Sequence, residues 1–173
     1  MPKNFITPVD SNSIEMKTAR LLSGSDAAFI YKYTATDDFE SLMLYVSEYR
    51  DGTLVSKEES EIAFGDSGSP KNGQLLIIPD FENFTVQIVA ADDTSQLRTS
   101  VPILENVENR EYYGRSATQI EEETTIRYGE EQNLVALIYD DDEMSVGSIH
   151  DFDQEAVYAE NDYMYCFSVR FCK

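Results

Sequence analysis

The chain has 173 residues, 42% of them apolar, with 33 Asp and Glu against 13 Lys and Arg and a formal charge of −20. That apolar share sustains a packed core and excludes a wholly disordered chain, while the charge repels phosphate backbones and anionic membranes. Eleven Tyr and nine Phe without a Trp, set in short runs with β-branched residues, point to an all-β fold class.

Residues 1–13 are polar and turn-prone and read as a flexible N-terminal arm. A first strand is expected over 14–22 and a second over 27–36, where Phe29, Tyr31 and Tyr33 share a face opposite Lys32. Leu42, Leu44 and Val46 then alternate with Met43, Tyr45 and Ser47, and Arg50-Asp51-Gly52 offers the left-handed position of a tight hairpin that returns through Thr53, Leu54 and Val55. Residues 65–73 are rich in Gly, Ser, Asp and Pro and read as a surface loop. Short strands over 75–78 and 84–88 follow, then an edge strand over 97–103, because Pro102 cannot donate to a ladder. Turns at this spacing predict an antiparallel, immunoglobulin-like β-sandwich over 14–103.

Residues 104–123 read as a connector, and 124–173 as a smaller C-terminal β extension packed on the sandwich. Its elements are strands over 124–128 and 133–139, an acidic loop over 140–153, a short strand over 156–158 and a final strand. In that last strand Tyr163, Tyr165, Phe167, Val169 and Phe171 alternate with Met164, Cys166, Ser168, Arg170 and Cys172, as on a half-buried sheet. Its deletion is expected to unfold at least the second part. The first 103 residues carry 16 acids and 8 bases (−8), and the other 70 carry 17 acids and 5 bases (−12), so charge gathers towards the C-terminus.

Cys166 and Cys172 stand six apart in one strand, roughly 20 Å at ~3.3 Å per residue, too far for a disulfide and without Cys-x-x-Cys metal spacing. Buried free thiols are expected. No apolar run is long enough to cross a bilayer, and the N-terminus lacks a signal peptide's apolar segment. No direct membrane insertion is therefore expected. The location is extracellular or cell-surface if a leader was trimmed, and cytoplasmic otherwise.

Among candidate sites, Asp140, Asp142 and Asp153 in the acidic loop are carboxylates that a Ca²⁺ ion would take as ligands, although the run departs from the EF-hand pattern. No other cofactor is implied. The single histidine, His150, lies between Ser148 and Asp151 without a nucleophile elbow and reads as a solvated loop residue. Paired carboxylates would serve glycoside hydrolysis, but 33 acids guarantee chance pairs. Asn83-Phe84-Thr85 matches a glycosylation sequon at the entry to a strand. Gly-rich phosphate loops and basic patches interleaved with aromatics are missing, which argues against nucleic acid as a partner. Tyr45, Tyr49, Tyr112 and Tyr113 are candidate protein-interface residues, or else the cover of a sheet.

The function expected from these features is a non-catalytic, extracellular or cell-surface binding module, such as the mature part of a bacterial lipoprotein. The alternatives are a cytoplasmic acidic inhibitor or nucleic-acid mimic that engages a basic protein, and a carboxylate-based hydrolase.

Overall fold

The computed structural model describes residues 4–23, 27–64, 68–141 and 161–173. In chain order the elements are β1 (Phe5–Pro8), α1 (Ile14–Ser23), β2 (Phe29–Thr34), β3 (Ser41–Arg50), β4 (Thr53–Ala63), β5 (Asn72–Asp80), β6 (Thr85–Ala91), β7 (Gln96–Pro102), β8 (Gly114–Gln119), β9 (Thr124–Thr125), β10 (Gln132–Asp140) and β11 (Tyr163–Cys172). The fold is all-β and antiparallel, in two sheets: β7-β6-β5-β2-β1-β9 and β4-β3-β11-β10-β8.

Period-two alternation places Phe29, Tyr31, Tyr33, Leu75, Ile77, Val86 and Ile88 on the inner face of the first sheet. Leu42, Leu44, Val46, Tyr165, Phe167, Val169 and Phe171 face them from the second. Phe39 meets Tyr33, Phe64 and Phe171 edge-on, with ring centroids 5.1–6.5 Å apart across the cluster. The Tyr31 hydroxyl crosses between the sheets to donate to Gln119 Oε1 at 2.8 Å, so the buried phenol keeps a partner. The β3–β4 hairpin turns at Asp51 and Gly52, with φ of 48° and 81°, the paired left-handed conformation that suits a two-residue hairpin loop.

Four expectations are corrected. Residues 14–22 form most of helix α1 instead of a strand, because Ser13 Oγ caps it by accepting the Met16 N–H at 3.2 Å and only Met16 of the helix is buried, against Ala28 and Ile30. Residues 1–13 are not simply an arm. β1 pairs with β2 and β9, Ile6 is fully buried, and Asn4 Oδ1 accepts from Thr36 N at 2.6 Å and Tyr128 Oη at 2.7 Å. The connector contains β8, which pairs with β10.

The fourth correction concerns the C-terminal strands, which are no separate body docked on a finished sandwich. β11 lies in the middle of the second sheet, matched over ten residue pairs to β3 on one side and paired with β10 on the other. It is also buried on both faces. Met164, Cys166 and Ser168 are as enclosed as the aromatic face, and Asn133 Oδ1 receives the Ser168 hydroxyl at 2.8 Å and the Cys166 thiol at 3.2 Å. Neither cysteine forms a disulfide; Cys166 is buried and Cys172 half-buried. Among the described residues no helix is long and apolar enough to cross a membrane.

Candidate functional site: the open side of the sandwich

The two sides of the sandwich differ. On one, Ile120 between β8 and β9 is buried, its N–H prolongs the β8–β10 ladder by donating to Leu134 O at 2.9 Å, and the Tyr31 hydroxyl of the first sheet reaches Gln119 of β8 in the second. On the other, the edge strands β4 and β7 approach one another, with Cα atoms within 8 Å in places, but share no ladder.

The sequence of β4 explains the opening. Its inward positions lie opposite the apolar residues of β3: Ile62 pairs with Leu42, Ser60 with Leu44, Glu58 with Val46 and Ser56 with Glu48. Three polar side chains therefore occupy positions where a closed sandwich would carry aliphatics, and a carboxylate cannot be pressed into an apolar layer without losing its hydration. Most of β4 stays solvated on both faces. The resulting cleft consists of two contiguous depressions of about 330 and 350 Å³ that share Val46, Glu58 and Val101. Leu44, Val46, Ile88 and Val101, core residues only 4–7% exposed, form its aliphatic base, and Glu48, Glu58 and Glu105 line it with acids.

One end of the cleft is built with care. Tyr165 Oη accepts the Leu104 N–H at 2.7 Å and donates to Glu48 Oε1 at 2.6 Å, while Glu48 Oε2 pairs with Arg50 Nη2 at 3.0 Å. Burial, reinforced by the adjacent Glu48 carboxylate, raises the Tyr165 phenol pKa, so the hydroxyl remains a donor. Leu104 holds φ of 50°, an uncommon conformation for a bulky side chain, and Asn106 and Asn109 follow at 61° and 58°. The loop after β7 is further pinned by Arg110, whose guanidinium lies 4.1 Å from the Phe84 ring centre.

Charge along β4 is unbalanced. Its single cation, Lys57, pairs with Glu131 at 2.9 Å and lies 4.8 Å from the Tyr45 ring centre. Glu58, Glu59, Glu61 and Glu105 form no ion pair among the described residues and are exposed. Chemically, the open side offers carboxylates to cations, an aliphatic base beneath them, and a strand edge with no pairing partner among the described residues.

The tyrosines singled out from sequence do not gather there. Tyr45 is buried on the opposite face of the sheet beneath Lys57 and Arg170, and Tyr49 is half-buried against the core. Tyr113 packs on Tyr163 at 5.9 Å, and Tyr112 is 80% exposed in a single 3-10 turn (Arg110–Tyr112). The open side was missed in the sequence because its signal is negative: polar residues at the inward positions of β4.

Of the Ca²⁺ candidates, Asp140 is buried at the end of β10, whereas Asp142 and Asp153, like His150, lie outside the described residues. The described residues instead bring together Asp140, Asp141 and Asp162, each with a carboxylate oxygen within 4.8 Å of the others. Burial raises the Asp162 pKa, opposed by the Asp141 N–H that Asp162 Oδ2 accepts at 3.1 Å and reinforced by the Asp141 side chain through a hydrogen bond and then its like charge. Each of the three carboxylates offers one ligand oxygen, and Ca²⁺ takes six to eight from carboxylates, carbonyls and waters together. Asn83 donates to Asp80 Oδ2 at 2.7 Å within the β5–β6 turn.

Searches of curated proteins and of solved structures return no match. A family model described as the YgaN domain matches residues 5–171, which run from β1 to β11 and so span both sheets. The chain belongs to the YgaN domain family.

Proposed function

We propose that this chain is a non-catalytic binding module that meets a protein partner along the open β4/β7 side of its sandwich. One observation carries the reading: β4 is an edge strand of eleven residues, solvated over most of its length and bordering a cleft with an aliphatic floor. Long exposed edges are templates for pairing, and a protein that keeps one beside a groove has a surface suited to recognition. The cleft wall supports the same reading, because the Tyr165–Glu48–Arg50 chain holds it in a fixed shape before any partner arrives.

The module is of an immunoglobulin-like kind in this proposal, a two-sheet scaffold whose rim meets the partner, and it works outside the cell or at its surface as the mature part of a bacterial lipoprotein. A coding sequence with no leader upstream of residue 1 would overturn that placement. A second reading, an acidic cytoplasmic inhibitor or nucleic-acid mimic of a basic protein, is favoured by the charge of −20 and uses the same surface.

The binding surface is tested by in-cell photo-crosslinking, with a photoreactive residue at Ser56 in β4 and a control at Thr118 in β8. A discrete protein adduct from position 56, absent from position 118, is expected. No adduct, or equal adducts from both positions, would overturn the reading.

A further inference from the structure

We infer that the open side takes an extended partner segment that adds to the second sheet as a strand beside β4 and carries Lys or Arg at alternate positions. This rests on the reading of the β4/β7 side as the binding surface.

The backbone supplies the first argument. Among the described residues β4 pairs with β3 alone, so along its eleven residues the groups facing away from β3 have no ladder partner there. At ~3.3 Å per residue that edge is roughly 36 Å long, enough for a ten-residue segment. A strand placed there prolongs the sheet across the mouth of the cleft. Its inward side chains then lie over Ile88 and Val101, and its outward ones stand beside Lys57, Glu59 and Glu61.

Charge selects the occupant. Glu59 and Glu61 share the outward face, opposite Tyr45 and Met43 of β3, and neither has a cationic partner among the described residues. Lys57, the one cation of the strand, is already held by Glu131 and the Tyr45 ring. Side chains directly across an antiparallel pair lie ~4.5–5.5 Å apart, so cations opposite Glu59 and Glu61 gain, and carboxylates there repel. The inward Glu58 and the loop residue Glu105 add acids at the cleft. A second copy of this chain is a poorer occupant, because two β4 strands paired edge to edge gather the carboxylates Glu58, Glu59 and Glu61 of each against a single Lys57 from each. The segment that fits has alternate apolar residues inward over the aliphatic floor and Lys or Arg outward.

The probe is a capped decapeptide of alternating Lys and Val, compared with one of alternating Glu and Val, titrated into the full chain at low and at high salt. The Lys–Val peptide is expected to bind, more weakly as salt rises, and the Glu–Val peptide is not. The E59Q/E61Q variant is expected to lose at least tenfold in affinity, and amide exchange should slow in β4 on binding. Equal binding of the two peptides, unchanged affinity in E59Q/E61Q, or slowed exchange confined to other strands would overturn the inference. The crosslink at position 56 separates the two claims. If the adduct forms as strongly in E59Q/E61Q, the basic-strand inference fails and the binding surface stands; if wild type gives no adduct, both fail.

Discussion

Tyr165 and Glu48 are joined at 2.6 Å between neighbouring strands, and that one hydroxyl also receives the Leu104 N–H at 2.7 Å. Its removal leaves a buried amide unpaired at a residue already in a left-handed conformation, and leaves Glu48 with Arg50 alone. Tyr165→Phe is expected to cost about 2–3 kcal/mol, read as a lower urea midpoint at unchanged slope. Glu48→Gln, which keeps an acceptor in place, should cost less than Tyr165→Phe. Equal losses in the two variants would show that the hydroxyl's bond to Leu104 is not what matters.

Gly73 lies opposite Tyr33 in the β2–β5 pair, and a Cβ there would run into the Tyr33 ring. That ring is wedged edge-on against Phe39 and Phe171 and has little room to retreat. Gly73→Ala should therefore destabilise by about 1–3 kcal/mol, the usual range for overpacking, whereas Gly129→Ala meets no neighbour within 4 Å and is strained only by its φ of +80°. Thermal unfolding of the two variants checks the contrast, and an undisturbed Tyr33 environment in Gly73→Ala would contradict it.

These two sites mark what the sequence does and does not disclose. The β3–β4 hairpin and β11 are readable because strict alternation and Asp51-Gly52 agree with the tertiary fold. Helix α1 is not, because Ile14, Leu21 and Leu22 point to solvent and only a narrow stripe at Met16 is buried; its true signal is the cap at Ser13. β1 escapes notice because four residues ending in Pro8 carry too little pattern, although Ile6 is fully enclosed. The central place of β11 is a matter of sheet order, which alternation within one strand cannot encode.

Glu58 is the charge at an inward position of the edge strand, opposite Val46, where an aliphatic side chain would add to the core. Glu58→Val is expected to raise stability by about 1 kcal/mol through added apolar burial, and to make the protein associate with itself as concentration rises. Sedimentation velocity over a concentration series reads the second effect. A variant that is stabilised yet stays monomeric would show that the neighbouring acids alone guard the edge.

Burial raises the phenol pKa of Tyr139, pushed up to about 12, and also those of Tyr31, Tyr33 and Tyr165. The unfolded phenols titrate near ~10, so above that pH the unfolded state sheds protons that the folded state retains. Stability is then complete below about pH 10 and falls as pH rises, with Tyr139 alone contributing on the order of 2 kcal/mol by pH ~12. Tyrosinate absorbance should rise in one cooperative step coincident with loss of the β-sheet circular dichroism signal. Four independent, gradual titrations in a protein that stays folded would refute this.

Deleting residues 163–173 tests the sheet order most severely. Because β11 stands between β3 and β10, its loss separates the β3–β4 hairpin from β8 and β10 and uncovers Leu42, Leu44 and Val46 along one flank. The aromatic cluster around Phe39 also loses Phe171. The sequence alone predicts the loss of at least the second part. With β11 central, no part retains a closed core, so the truncated chain is expected to show no cooperative thermal transition and uniform protease sensitivity. A protease-resistant fragment spanning β2 to β7 would mean that the first sheet and the β3–β4 hairpin hold together without the strand that joins that hairpin to β10.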